Sequence, residues 1–226
     1  MTNKDIQRIL LEKEVAHLYH ANSMATACTF LENGGLLSRG AVEDFGLYQT
    51  PQETDATDKL LDVYYDIFFD SVDIHERIGK INHYGPIVFV YSTDVLETLP
   101  EGTIQITKDN PIRWSPNTPE NRRYFSSEEE LYFGYTKGDF TQHITLRHQT
   151  EALPFDYLEK IIIDNPMIDN ASYFENAYCH LQFLIEKYAP WVCLEIRQCP
   201  LGCSCHQQYR SYWKCQEMCS RETPKI

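Results

Sequence analysis

The strongest constraint on the fold is a run of six residues, 86–91 (PIVFVY), which follows a turn-like segment at 82–86. β-branched and aromatic residues favour strands, and a short continuous apolar run bounded by turn signals is typical of a buried strand. The remaining pattern consists of short strands and helices separated by long connections. It lacks the strand–helix alternation of a doubly wound sheet, so we expect an α+β fold.

The composition describes an acidic globular chain. Hydrophobic residues make up 42% of the 226 residues, which excludes a disordered protein, because disordered chains have too little apolar surface to offset the entropy of ordering. No apolar run approaches the roughly 20 residues of a membrane span, and residues 1–11 lack the apolar block of a signal peptide. We therefore expect a cytoplasmic protein without a membrane partner. A net charge of −13 argues against non-specific coating of duplex DNA, which needs a basic footprint.

Local patterns place the secondary-structure elements along the chain. We expect helices over 6–15, from Asn22 or Ser23 to Leu31, and over 173–188, and strands over 17–20, 102–107, 145–153 and 158–163. Residues 40–58 and 108–123 are polar or rich in turn formers and are expected to be loops. We divide the chain into a main domain, 1–170, and a C-terminal segment, 171–226, which holds a helix and a small cysteine-rich annex.

Three groups of residues have the composition of functional sites. Residues 18–20 (LYH) end a predicted strand and are followed by the turn 34–39 (GGLLSR), so His20 could face a pocket and bind a ribose or an amide. An ordinary strand-end histidine would give the same pattern. If 145–153 is a strand, Gln149 and Glu151 lie on one face, where a carboxylate could stabilise a cationic transition state. Asp73 and His75, with His83 nearby, could bind a metal ion, but a buried polar network fits these residues as well.

In this order and spacing, the motifs over residues 17 to about 165 resemble the DarT family, the nucleic-acid ADP-ribosyltransferase toxins. Residues 86–92 (PIVFVYS) resemble the central strand of that family, and 121–125 (NRRYF) with Leu131 resemble its loop-helix segment. Residues 147–151 (RHQTE) resemble its catalytic strand, and 158–163 the strand that follows. The resemblance implies a split mixed sheet with flanking helices and an enzyme that uses NAD+ as substrate.

The resemblance also implies a role for individual residues. Glu151 would be the catalytic carboxylate with Gln149 beside it, and His20 would contact the nicotinamide ribose. Further residues expected to form the NAD+ pocket are Tyr19, Arg39, Tyr65, Phe68 and Phe69. The family implies a role in a toxin–antitoxin or anti-phage system, and therefore an antitoxin partner.

The acceptor is expected to be a base of single-stranded RNA or DNA. The DNA-modifying relatives carry an arginine in a stretch that reads DSVDIH at 70–75 here, which leaves Arg39 or Arg77 for its role and makes RNA a credible substrate. A base inside a duplex is inaccessible, so an unpaired or flipped base is required. Side chains expected to stack on or pair with such a strand are Arg113, Trp114, Arg122, Arg123 and Tyr124. A solvated loop would have the same composition.

The C-terminal tail resembles a structural zinc site. Two Cys-x3-Cys pairs, Cys199 with Cys203 and Cys215 with Cys219, could supply four thiolates in a tetrahedron. Cys205 is an alternative ligand, and a set of free thiols is the other interpretation. Two further functions remain open from the sequence: a non-catalytic binding module that recognises its partner through this tail, and a metal hydrolase built on Asp73, His75 and His83.

Overall fold

The apolar run at 86–91 lies inside a four-stranded sheet. The computed structural model describes residues 1–73, 75, 85–165 and 171–199. The four strands are β1 (His17–Asn22), β4 (Ile87–Ser92), β8 (Leu158–Asn165) and β9 (Cys193–Gln198), in the order β1-β4-β8-β9. The first two pairings are antiparallel and the last is parallel, so the sheet is mixed, as expected.

A second, three-stranded sheet adjoins the first. Its strands β3 (Ile67–Phe69), β5 (Ile104–Ile106) and β6 (Ile144–Leu146) pair antiparallel in the order β3-β6-β5. Tyr19 of β1 and Asp70 after β3 exchange two backbone hydrogen bonds of 2.9 Å, which joins the two sheets. The predicted split mixed sheet is therefore present.

A short pairing of two strands holds the segment that follows β6. β2 (Gly35–Leu36) pairs antiparallel with β7 (Leu153–Pro154). A Cβ atom at Gly35 would overlap the carbonyl oxygen of Leu153, so the close approach of the two backbones requires glycine there. This pairing fixes the C-terminal end of the loop that carries Gln149 and Glu151.

Polar caps begin several of the helices that flank the sheets. The helices are α1 (Asn3–Glu12), α2 (Met24–Glu32), α3 (Arg39–Asp44), α4 (Asp55–Leu60), α5 (Val95–Thr98), α6 (Glu120–Arg123), α7 (Glu128–Gly134) and α8 (Ala171–Tyr188). Thr2 forms a capping box with Asp5, and the side chains of Ser23 and Ser127 accept hydrogen bonds from backbone N–H groups of α2 and α7. None of the described helices is long and apolar enough to cross a bilayer.

The core is built on one face of β4 and on the C-terminal helix. Phe89 of β4 is fully buried and stacks on Phe155, with ring centroids 6.2 Å apart. Ala177 and Leu181 of α8 are buried in the same apolar cluster. The described part of the predicted C-terminal segment, 171–199, therefore shares its core with residues 1–165.

Two local expectations are wrong. The segments expected to be loops contain the short helices α3, α4 and α6, of which α3 is capped by the Ser38 side chain and α6 follows Pro119. The strand expected over 145–153 ends at Leu146, and His148 adopts a left-handed conformation with φ 54°. The chain turns at this point because Arg147 folds back to pair with Asp66, at 3.0 Å. Gln149 and Glu151 consequently lie in a loop.

Candidate active site

A cavity of about 250 Å³ opens where the two sheets meet. The residues of its wall come from the end of β1, from α2, from the segment 63–70 around the start of β3, and from loops in the two long connections. They include His20, Asn22, Phe30, Arg39, Asp66, Phe68, Asp70, Asn110, Ile112 and His143. Both polar and aromatic groups converge on this cavity, which is the usual composition of a small-molecule site.

His20 is held in one tautomer. Its Nδ1 lies 2.8 Å from the backbone oxygen of Phe68, and because a carbonyl oxygen only accepts, Nδ1 carries the proton. Burial lowers the pKa of His20 below its usual 6.5, although the Phe68 carbonyl and Asp70 oppose this shift. The ring is therefore neutral at pH 7, and Nε2 is a hydrogen-bond acceptor. Phe30 and Phe69 pack around it, with ring centroids at 6.0 and 5.6 Å.

Asp66 is a buried carboxylate that sequence reasoning missed. Its side chain is fully buried, forms an ion pair with Arg147 and accepts a 3.0 Å hydrogen bond from the backbone N–H of His148. Burial raises the pKa of Asp66 to about 6, against the opposing effect of the Arg147 guanidinium. The available signal was weak: the apolar stretch 60–69 contains two carboxylates, Asp62 and Asp66, and nothing in the sequence distinguishes the buried one.

A second polar group in the wall was also missed. His143 Nδ1 lies 3.5 Å from Asp70 Oδ1, and its Nε2 lies 3.3 Å from Asn110 Nδ2. The ring edge also faces Phe68, with centroids 5.8 Å apart. The cavity wall therefore contains a second imidazole, which has a carboxylate neighbour.

Arg39 is fixed against the cavity wall. Its Nε and Nη2 donate to the two oxygens of Asp55 at 2.5 and 2.7 Å, and Nη2 also donates to the backbone oxygen of Thr50 at 3.2 Å. This bidentate pair holds the loop 49–55 over α3. The guanidinium is thus held in a fixed position in the cavity wall, with Asp55 as its counter-charge.

Comparison with solved structures places this arrangement among known folds. The structure of Thermus sp. 2.9 DarT in complex with ADP-ribosylated ssDNA matches with a TM-score of 0.50 at 12% identity, and the match covers 81% of this chain and 95% of that chain. This chain has a DarT-like fold. The resemblance expected from the ordered motifs is confirmed at the level of the fold.

Two further structures have lower scores. Thermus sp. 2.9 DarT in complex with carba-NAD+ matches with a TM-score of 0.46 at 12% identity, over 83% of this chain and 96% of that chain. Thermosipho africanus DarTG in complex with ADP-ribose matches with a TM-score of 0.48 at 9% identity, over 80% of this chain and 50% of that chain. No protein-family model matches the sequence, and no curated protein matches it.

Within the DarT-like fold, three of the residues predicted for the NAD+ pocket line the cavity: His20, Arg39 and Phe68. The other three lie elsewhere. Tyr19 points to the opposite face of β1 and packs with Val88 and Val90, because side chains alternate along a strand. Phe69 is fully buried in the core and supports the His20 ring. Tyr65 packs against Gly40 and donates from its hydroxyl to Asp44 at 2.9 Å.

The predicted catalytic pair lies beside the cavity. Gln149 and Glu151 are not part of the wall, and Glu151 is exposed. Their loop is held next to the wall at Gln149: its backbone N–H donates to the Tyr65 oxygen, and the Ser38 hydroxyl donates to the Gln149 oxygen, both at 2.6 Å. Ser38 precedes Arg39 and Tyr65 precedes Asp66, so the loop follows the rim of the cavity.

The predicted nucleic-acid residues separate into a buried and an exposed group. Trp114 and Tyr124 are 9% and 2% exposed and pack edge to face, with centroids 5.3 Å apart. Arg123 stacks on Trp114 and donates to four backbone oxygens, which include that of Leu61 at 2.9 Å. These three side chains hold the 108–125 segment together. Arg113 and Arg122 are exposed, and Arg113 pairs with Asp109 at 3.0 Å.

The predicted metal ligands fall mostly outside the described residues. Cys199 is buried beside His75, whereas Cys203, Cys205, Cys215 and Cys219 lie beyond the part of the chain that the structure describes. Asp73, one of the residues of the hydrolase interpretation, forms an ion pair with Arg197, and His83 is outside the described residues. The described residues therefore bring His75 together with Cys199.

Replacing Arg147 should show how much its ion pair with the buried Asp66 contributes to the free energy of unfolding. We expect Arg147→Met to lower the free energy of unfolding by about 3–5 kcal/mol, because a buried carboxylate loses its counter-charge. The loss should be smaller at pH 5 than at pH 8, since the variant raises the pKa of Asp66 further above 6 and a protonated carboxyl needs no partner. Urea denaturation at both pH values measures this, with the exposed Arg122→Met as control. Equal losses at the two pH values would contradict this assignment.

The neutral state of His20 can be observed directly by NMR. We expect the imidazole resonances that disappear in His20→Gln to titrate with a pKa below 6.5, because burial disfavours the charged ring. The lowered pKa of His20 also makes the free energy of unfolding depend on pH. The unfolded chain binds the proton more tightly, so this contribution to stability is present above about pH 6.5 and is lost as the pH falls. A titration above 6.5 would show that the ring is charged in the cavity and would overturn the acceptor role of Nε2.

Proposed function

We propose that this protein is an ADP-ribosyltransferase that cleaves NAD+ and transfers ADP-ribose to a base of single-stranded nucleic acid, RNA or DNA. The observation that carries the proposal is the neutral His20 in a cavity at the sheet junction of a DarT-like fold. One solved structure with this fold is a complex of Thermus sp. 2.9 DarT with ADP-ribosylated ssDNA. Two observations therefore support the proposal. A protein with this fold has been solved with ADP-ribosylated ssDNA, and the cavity of this chain has the size and polarity that suit a nucleoside.

The cavity offers groups that suit nicotinamide and its ribose. Because Nδ1 of His20 is occupied by the Phe68 carbonyl, Nε2 is left to accept a hydrogen bond from a ribose hydroxyl. Phe68 would offer an aromatic surface for the nicotinamide ring, and the Arg39 guanidinium, held in place by Asp55, would offer a donor for the diphosphate. These three groups would hold the dinucleotide with its glycosidic bond toward the rim.

Glu151 is the proposed catalytic carboxylate. Cleavage of the bond between ribose C1′ and the nicotinamide nitrogen develops positive charge on the ribose, and a nearby carboxylate stabilises that charge. The electron pair of the bond leaves with nicotinamide, and the acceptor nitrogen attacks C1′ from the opposite face. The exposed position of Glu151 suits this role, because it lies two residues after Gln149, which Ser38 holds beside the cavity wall, and its carboxylate would be accessible to NAD+ and the acceptor there.

The acceptor strand would approach along the exposed arginines. Arg113 and Arg122 lie in the 108–125 segment, whose residues Asn110 and Ile112 line the cavity. Cations at the entrance would attract a phosphate backbone even though the chain carries a net charge of −13. Such an enzyme would damage its own cell, so the proposal includes a neutralising antitoxin and a role in a toxin–antitoxin or anti-phage system.

Incubation with labelled NAD+ tests the reaction and the acceptor together. We expect label on single-stranded RNA or single-stranded DNA, and none on cell protein. Glu151→Gln should reduce the transfer rate by roughly 100-fold or more, because it removes the charge that stabilises the transition state but keeps the shape of the side chain. Glu129→Gln, which also replaces an exposed glutamate, should retain wild-type activity.

Two results would contradict the proposal. Intact NAD+ with every acceptor would favour the binding-module interpretation, provided that circular dichroism shows a folded protein. Full activity of Glu151→Gln would rule out Glu151 as the catalytic carboxylate. Asp66, the buried carboxylate in the cavity wall, would then be the next candidate.

A further inference from the structure

A buried cluster of three metal-ligating side chains lies outside the proposed NAD+ cavity. His75 Nε2 lies 3.3 Å from Cys199 Sγ and 4.0 Å from Asp164 Oδ2, and the three donor atoms lie within 4.8 Å of one another. All three residues are buried, and the carboxyl group of Asp164 is fully so. Three different donor types have therefore been brought together away from water.

The sheet topology explains why these residues meet. Asp164 is near the C-terminal end of β8, and Cys199 follows directly on β9. Because β8 and β9 are parallel, these two ends lie at the same edge of the sheet, and the backbone N–H of Cys199 donates to the Asn165 oxygen at 2.9 Å. His75 comes from the segment that follows β3, and its backbone N–H donates to Asp73 Oδ1 at 3.0 Å.

We propose that His75, Asp164 and Cys199 supply three of the ligands of a structural binding site for a divalent transition-metal ion, with Zn²⁺ as the preferred ion. Imidazole nitrogen, thiolate sulfur and carboxylate oxygen are its usual protein ligands. Bond lengths of about 2.3 Å to sulfur and 2.0 Å to nitrogen in a tetrahedron place those two atoms about 3.5 Å apart. The 3.3 Å between Cys199 and His75 is close to that spacing.

The charges around the cluster also favour a divalent cation. Arg197 donates from Nε to Asp164 Oδ1 at 2.6 Å and pairs through Nη1 with Asp73. With the thiol of Cys199 deprotonated and the imidazole neutral, two carboxylates, one thiolate and one guanidinium leave a net charge of −2, which a divalent ion neutralises. Arg197 also fixes the Asp164 carboxyl with Oδ2 toward His75, which is the outer-shell support typical of metal sites.

The site would stabilise one wall of the NAD+ cavity. Asp70 lines that cavity, and the same segment continues to Asp73 and His75. On the other side, Ile163 beside Asp164 pairs with Ile87 of β4, which pairs in turn with Asn22 in the cavity wall. An ion at this point would connect the segment after β3 to the end of β8 and β9. Its role is thus structural, and its binding can be measured without NAD+.

Metal titration of the full-length protein tests the proposal. The metal-stripped protein is titrated with Zn²⁺ against a chromogenic chelator, and with Co²⁺ as a spectroscopic probe. We expect one high-affinity ion per chain that depends on this cluster, and a fall in affinity of roughly 100-fold or more in His75→Ala and in Cys199→Ser. Cys193→Ser, which removes an exposed cysteine of the same strand, should bind as the wild type does.

The same titration separates this site from a four-thiolate site in the tail. A variant with Cys203, Cys215 and Cys219 all replaced by serine should keep the ion if the cluster holds it. Loss of the ion in that variant, with normal binding by His75→Ala, would overturn the proposal in favour of the tail. Absence of Zn²⁺ and Co²⁺ binding by the wild type would also overturn it. Should the single variants fail to fold, the wild-type Co²⁺ spectrum decides, because one sulfur ligand gives much weaker charge-transfer absorption than four.

Discussion

The junction between β1 and β3 is the constraint on which the candidate site depends. Two backbone hydrogen bonds between Tyr19 and Asp70 join the sheets, and one residue further on, the His20 ring donates to the Phe68 carbonyl. The same contacts that close the fold therefore orient the imidazole and select its tautomer. The cavity lies against this junction. His20, the group in its wall whose tautomer is fixed, is therefore also held in place by the contacts at the junction.

The sequence predicts well those elements whose formation depends on residues close together in the chain. The run at 86–91 becomes β4 because its residues favour a buried strand in any register, and α2 starts at Ser23 because that hydroxyl caps the helix. The ordered motifs of the DarT resemblance identify the fold, although each motif alone is weak. His20, Arg39 and Phe68 are found in the cavity wall because strand alternation and the turn at 34–39 place them there.

The remaining features depend on contacts between distant residues. Asp66 escapes prediction because its partner Arg147 is far along the chain, and this pair also ends the strand that would have carried Gln149 and Glu151. Phe68 and Phe69 have the same side chain, and only the register of β3 decides which faces the cavity. Arginines among aromatic residues suggest a nucleic-acid surface, yet the same composition lets Arg123 and Trp114 form a buried stack.

We propose that the cavity at the sheet junction binds NAD+ through the neutral His20, and a crystal structure with the uncleavable analogue carba-NAD+ would test this. We expect the nicotinamide riboside in this cavity, with a ribose hydroxyl about 2.6–3.2 Å from His20 Nε2 and the Glu151 loop beside the ribose. An analogue bound outside the cavity, or a cavity left empty at saturating analogue, would contradict this binding mode.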